Sequence, residues 1–312
     1  MQSPNLFARI GTRGSPLALA QAKLVRERLA AAHGVGEEAI GIEVFSTGGD
    51  RSQTENTTLS DIGGKGVFTK EIDEALLSGR IDIGVHSSKD VATGLAPGME
   101  LAAFLEREDV RDAFLSVSAR GIDFLPEGAR FGTSSIRRAA QARRLRPDLR
   151  IVPFRGNVHT RLQKLLDGVA DATLLALAGL NRLGEAHRAT AILDPEDFMP
   201  APAQGAIGIA IRADDRHFAE IVAPLDHAPT HAAIAAERAM LAVLDGSCRT
   251  PVGALTSRAG DLLTLKGEIL SLDGQVSFRA EASGSDPRSL GQKVGSDLLA
   301  QAGPDWLSRW NA

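Results

Sequence analysis

Tyrosine is absent, cysteine occurs once, and lysine is scarce, with 28 of the 35 basic residues being arginine. A lone cysteine cannot close an internal disulfide, and no CxxC or Cys/His array offers a structural zinc or other metal site. Aromatic residues make up only 4% of the chain, so a nucleic-acid surface of basic groups interleaved with stacking rings is not expected. No uncharged apolar run approaches the roughly 18 residues needed to span a bilayer. The opening MQSPNLFARIGTRGSP lacks the basic and long apolar regions of a secretory signal. Neither GxxxxGK[ST] nor a GxGxxG placed after a strand occurs, which leaves nucleotide binding without support. These absences predict a cytoplasmic protein of a reducing compartment with no membrane partner. Its 312 residues, 43% of them hydrophobic, suffice for two or three domains with real cores.

What is present is an uneven charge. The net charge is −4, yet the stretch from Arg130 to Arg161 holds nine arginines, no lysine and one acid, Asp148. The planar fork of arginine suits paired recognition of carboxylate or phosphate. With few aromatics nearby, the cluster fits a small polyanion.

Strand and helix signals alternate along most of the chain. A strand over Leu6–Thr12 leads to a helix capped by Ser15 with Pro16 at its first position. A strand over Ile40–Ser46, a polar loop to Gly66 and a helix over Phe68–Leu77 precede a short strand, Ile81–His86. Apolar pieces follow at Leu101–Leu105 and Asp112–Val117. Strand–turn–helix then recurs at Arg130–Gly132, Thr133-Ser134-Ser135 and Ile136 onward. IGTRGSPLALAQA echoes FGTSSIRRAAQA, and LLSGRIDIGV echoes LLDGVADATL with Gly79 opposite Gly168 and Asp82 opposite Asp171. The pattern predicts two α/β domains, each with a mainly parallel sheet. The tail differs: a helix over His231–Leu244, β-like pieces at Leu262–Leu265, Gly267–Leu272 and Gln275–Ala282 with Asp273-Gly274 as a two-residue hairpin, and a helix over Ser289–Ala302. It reads as a small α+β third domain with an antiparallel sheet. The division expected is residues 1–105 with 200–224, then 106–199, then 225–312.

Three helix entrances combine backbone N–H groups with basic or hydroxyl side chains: Thr12-Arg13-Gly14-Ser15, Gly63-Gly64-Lys65-Gly66, and Thr133-Ser134-Ser135 ahead of Arg137-Arg138. Each could cap a helix or hold an anion. His86-Ser87-Ser88-Lys89-Asp90 ends a predicted strand, where ligands gather in open α/β sheets, so Asp90 is a candidate acid or cation stabiliser. Cys248 lies in a Gly-Ser-Cys-Arg loop, either a small buried side chain or a usable thiolate beside Arg249.

Taken together, the motifs resemble the porphobilinogen deaminase family. The resembling stretches are GTRGSPLALAQA (11–22), GGKGVFTKEI (63–72), DIGVHSSKDV (82–91), REDVRDAF (107–114), GTSSIRRAAQ (132–141), RGNVHTRL (155–162), LALAGLNRLG (175–184), PAQGAIGI (202–209) and GSCRTPVGA (246–254). The resemblance implies two periplasmic-binding-protein-like α/β domains facing across a cleft and a third domain carrying the cysteine. It implies a monomeric transferase that joins four porphobilinogen molecules to hydroxymethylbilane with loss of ammonia. The priming dipyrromethane cofactor would be held by a thioether to Cys248.

By motif, the resemblance makes Asp90 the catalytic carboxylate that stabilises the cation left when ammonia departs. It places Lys89, Ser135, Arg137, Arg138 and Arg161 with the cofactor, and Arg13, Ser15, Phe68, Thr133, Ser134, Arg155 and Arg182 with the substrate or growing chain. Lys65 falls in the loop of the first domain. Two positions depart from the family pattern: Ala92 stands where the HSxKDxP motif has proline, and Asp61 where some relatives carry lysine. A two-lobed binder of small anions is the main alternative, and it leaves Cys248 and the third domain unexplained. A phosphate-sugar or nucleotide transferase is disfavoured, since the sequence has neither a P-loop nor an acidic metal cluster.

Overall fold

The computed structural model describes residues 6–48, 69–246, 250–303 and 305–306. Its chain divides into two compact units, Met1–Arg107 with Ala206–His231, and Glu108–Gly205 with Ala232–Ala312.

In the first unit, β1 (Ala8–Arg13) feeds α1 (Pro16–His33) through the expected cap. Ser15 is extended and its hydroxyl accepts from the Ala18 N–H, with Pro16 opening the first turn. β2 (Ile40–Phe45), α2 (Lys70–Leu77), β3 (Ile83–Ser87), β4 (Met99–Phe104) and the later α6 (Arg216–Val222) complete the layers. The sheet runs in the order β2-β1-β3-β10-β4, where β10 is Ile207–Arg212. β1 pairs in parallel with β2 and β3, while β10 runs against both β3 and β4. Ile10, Ile83, Val85, Ile207 and Ile209 meet Val25 and Leu29 of α1 in the main core.

The second unit repeats the plan. β5 (Asp112–Ser116), β6 (Arg130–Gly132), α3 (Ile136–Leu145), β7 (Arg150–Val152), α4 (Val158–Leu166), β8 (Ala172–Ala176), α5 (Leu177–Arg182) and β9 (Ala191–Ile192) build a sheet in the order β7-β6-β8-β5-β9. β6 is parallel to β7 and β8, and β5 antiparallel to β8 and β9. Both sheets are therefore mixed, with one reversed strand between the third and the edge strand. That strand escapes the expected mainly parallel reading because in the first unit it arrives from about a hundred residues further along the chain.

A shared staple underlines the duplication. Asp82, just before β3, accepts from the Arg9 backbone N–H at 2.9 Å and from its guanidinium at 2.6 Å. Asp171, just before β8, accepts from the Arg130 backbone N–H at 2.7 Å and its guanidinium at 2.8 Å. Gly79 and Gly168, opposite each other in the sequence echo, both have positive φ, +73° and +69°.

The second unit also contains a three-stranded antiparallel sheet, β11 (Val252–Ala259), β12 (Leu262–Leu270) and β13 (Ser277–Gly284), covered by α7 (Ala228–Val243) and α8 (Pro287–Ala302). Two expectations change here. β12 runs unbroken through Gly267, which lies beneath Met240, Val294 and Leu298. The two-residue hairpin is Gly260-Asp261, whereas Asp273-Gly274 sits in the six-residue connection between β12 and β13. That connection is shaped by docking on α3: Arg143 donates to the Leu272 carbonyl at 3.0 Å, and a Cβ on Gly274 would lie 2.2 Å from the Ala140 carbonyl oxygen. Among the described residues no helix is long and apolar enough to cross a membrane.

Candidate functional site

Within the first unit, the register pairs Ile10 with Ile83 and Gly11 with Gly84, so the exits of β1 and β3 are neighbours. β1 delivers Arg13 and Ser15, and β3 delivers a tight turn, Ser88–Asp90, carrying half-buried Lys89 and Asp90. The turn is held from behind. The Gln21 amide of α1 donates to the Ser87 hydroxyl at 2.9 Å, and the Ser88 N–H donates to the Ala206 carbonyl at 3.0 Å. His86 is buried on the opposite face from Ser87, and its pKa is pushed down to about 4 by burial and then by the Arg13 charge. His86 is therefore neutral at neutral pH. With Thr69, Asp73, Met99 and Ala210 it lines a cavity of about 330 Å³. Burial raises the Asp73 carboxyl above its usual range, opposed by the Thr69 hydroxyl at 2.8 Å.

In the second unit, Thr133-Ser134-Ser135 turns from β6 into α3. The Thr133 hydroxyl accepts from Ser135 N–H at 3.1 Å, Ser134 from Phe154 N–H at 3.1 Å, and Ser135 from Arg138 N–H at 3.4 Å. Each hydroxyl thus takes a backbone proton and keeps its own O–H to offer. The exit of β7 continues through Arg155 to α4, which Asn157 caps. Arg161 donates from Nε to the Gly156 carbonyl at 2.8 Å, and Lys164 steadies the Arg155 carbonyl at 3.0 Å. Arg182, ending α5, donates to the Gly205 carbonyl at 2.6 Å, and burial pushes its guanidinium down against the opposing pull of Glu108.

Arg137 and Arg138 turn inward from the first turn of α3. Arg138 places Nε and Nη2 on Asp112 at 3.2 and 2.7 Å and Nη1 on the Leu174 carbonyl at 2.9 Å. Arg137 places Nη2 on Asp112 at 2.9 Å and Nη1 on Gln141 and the Met199 carbonyl. Burial pushes the Arg137 guanidinium below its ordinary value, with Asp112 opposing. Gln204 adds a fourth bond to Asp112 at 2.8 Å. Further along α3, Gln141 and Arg144 reach buried Glu268 of β12, which Arg279 also holds. Asp112, Gln141, Gln204 and Glu268 are the residues that reading the sequence missed. The signal available was the shortage of acids inside the arginine cluster, which requires counter-ions from elsewhere in the chain.

The strand ends thus gather Arg13, Ser15, Lys89 and Asp90 in one unit. They gather Thr133, Ser134, Ser135, Arg155, Arg161 and Arg182 in the other, with Arg137 and Arg138 behind the turn. Phe68, Lys65 and Cys248 lie outside the described residues. Residues 8–220 match the family model described as porphobilinogen deaminase, dipyromethane cofactor binding domain, and residues 231–300 match its C-terminal domain. The chain belongs to the porphobilinogen deaminase family. This is a family of transferases, also called hydroxymethylbilane synthases. Its porphobilinogen deaminase from Nitrobacter hamburgensis is 52% identical over 306 residues, covering 97% of this chain and 96% of that protein. Among solved structures, the methionine-binding protein MetQ aligns over 74% of this chain and 94% of its own with 14% identity and a TM-score of 0.44. A periplasmic substrate-binding protein of an ABC transporter from Coxiella burnetii aligns over 73% and 95% with 14% identity and a TM-score of 0.43.

The described residues fit the dipyrromethane that the porphobilinogen deaminase model names. Its carboxylates need donors, and this unit offers three hydroxyl groups with spare protons. It also offers a buried guanidinium nitrogen, Arg137 Nε, that has no hydrogen-bond partner among the described residues.

Proposed function

We propose that the chain condenses four porphobilinogen molecules head to tail into hydroxymethylbilane, releasing one ammonia for each unit added. The observation that carries this reading is positional. Every assigned residue among those described lies at the carboxyl end of a strand or on the helix that follows it, where α/β sheets take their ligands.

Asp90 acts on the reacting ring. Loss of ammonia leaves the substrate pyrrole positively charged, and a carboxylate beside its N–H stabilises that charge and relays the proton. Arg13, Arg155 and Arg182, with the Ser15, Thr133 and Ser134 hydroxyls, take the acetate and propionate groups of the substrate and the lengthening chain. Phe68 is assigned to the substrate pyrroles by its place in the family motif. Lys89, Ser135, Arg137, Arg138 and Arg161 hold the carboxylates of the dipyrromethane, which Cys248 retains as a thioether. When bound, that group supplies the electron-rich pyrrole carbon that primes the chain. Arginine at these positions is an electrostatic requirement, since each added unit brings two more carboxylates. A single thiol kept for a thioether suits a reducing compartment, and the proposed function places the enzyme in the cytoplasm, as a monomer acting on a small molecule.

Intact mass spectrometry with an Ehrlich colour reaction on the purified chain tests this. The expected result is the sequence mass plus two pyrrole units, located at Cys248 after digestion. A chain of unmodified mass that acquires no adduct when given porphobilinogen overturns the reading and leaves a two-lobed anion binder in its place.

A further inference from the structure

Two buried guanidinium groups share one carboxylate, Asp112, with the charge of buried Glu268 also acting on Arg137. Arg137 is 4% exposed, Arg138 6% and Asp112 0%. Charges buried in this way persist when their donors and acceptors are satisfied. Each of the three Arg138 nitrogens has a partner, and Nη1 and Nη2 each carry a second N–H beyond those bonds. For Arg137 the partners stop one nitrogen short. Nε and Nη2 form one edge of a guanidinium, the edge that receives a carboxylate side-on. Asp112 occupies the Nη2 end of that edge, and the Nε end has no partner among the described residues. Nε is also the guanidinium nitrogen nearest the backbone, and Arg137 stands two residues after Ser135, whose turn keeps spare hydroxyl protons.

We propose that Asp112 is a positioning residue for cofactor capture: it clamps Arg137 and Arg138 so that Arg137 Nε is the donor left for a carboxylate of the dipyrromethane. Resting on the proposed function, the inference adds a residue that does not itself touch the ligand. Asp112 serves two ends. Before loading it is the counter-ion that lets two arginines stay charged in the interior. During loading it keeps Arg137 from swinging round to spend Nε elsewhere. Gln204 supports this by donating to the Asp112 Oδ1 that Arg138 Nη2 also uses.

The test uses the full chain prepared without cofactor. Porphobilinogen is titrated in, and the mass gained on Cys248 is followed with time. Each pyrrole unit is attached by forming one bond to its methylene carbon, the carbon–nitrogen bond breaking and ammonia leaving. Asp112→Asn removes the charge but keeps the shape. The expected result is a rise of about ten-fold or more in the porphobilinogen concentration giving half-maximal loading, as for loss of a charge-assisted bond. The final fraction loaded stays near that of the unsubstituted chain. A purely structural Asp112 would lower the loadable fraction or the unfolding temperature without moving the half-saturating concentration, and that outcome overturns the proposal. If Asp112→Asn does not fold, Gln204→Leu, which removes one bond to Asp112, should raise the same concentration several-fold, and an unchanged value overturns the proposal. Failure of the unsubstituted chain to gain any adduct would instead sink the proposed function.

Discussion

Lowering the pH from 7 to 5 probes the surroundings of His86. This imidazole is 6% exposed, and its pKa is pushed down to about 4, first by burial and second by the charge of Arg13. In the unfolded chain it titrates at the ordinary 6.5. Between those values the unfolded chain binds the proton that the folded chain refuses. Stability from this group is therefore complete above pH 6.5 and is lost as the pH falls toward 4. The two values put the loss at about 2 kcal/mol at pH 5, approaching about 3 kcal/mol below pH 4. His86→Gln removes the titration while keeping a polar side chain of similar length. Hydrogen exchange of the β3 amides, corrected for intrinsic rates and compared between the two proteins at pH 7, 6 and 5, isolates the contribution. The unsubstituted chain should lose about 2 kcal/mol more protection over that range than the variant. Parallel curves for the two proteins, or an NMR titration of the His86 ring near 6.5, would refute the reasoning.

Asp90→Asn should leave the fold intact and remove most turnover, at least about a hundred-fold for a group that acts in proton transfer and charge stabilisation; near-normal turnover eliminates the role. Arg161→Leu should impair cofactor assembly or retention, read by intact mass, and a fully loaded, active variant contradicts it. Gly205→Ala should lower the free energy of unfolding by about 2 kcal/mol or more, read as a lower unfolding midpoint, because φ is +88° and the new Cβ would lie 2.4 Å from the Glu108 carbonyl oxygen. A midpoint equal to that of the unsubstituted chain would show the segment to be pliant.

The parts of this molecule that could be read in the sequence are those decided by neighbouring residues. Ser15 and Pro16 announce α1 because capping is settled within one turn. Gly79 with Asp82 and Gly168 with Asp171 announce the duplication because each set places a turn and an acid before a strand. β10 was not legible as a reversed strand, since its place between β3 and β4 depends on pairing with residues far away in the chain. The connection around Gly274 was misread because contact with α3, not the local dipeptide, decides its length. At the site, the residues offering hydroxyls and charge could be named, but their commitments could not. Nothing near Arg137 and Arg138 in sequence points to Asp112, which lies 25 and 26 positions away.

The paired staples, Arg9 to Asp82 and Arg130 to Asp171, sit at the amino ends of their sheets. Each lobe is therefore fastened along the border opposite the strand ends that carry the proposed site residues. The rim of one lobe carries a lysine–aspartate turn and that of the other a trio of hydroxyls backed by arginine, upon frames of the same plan. Substitutions at either rim can alter what is gripped without undoing the fastening. On the proposed function, two frames of one plan serve separate trades, one working on a ring and one holding acids.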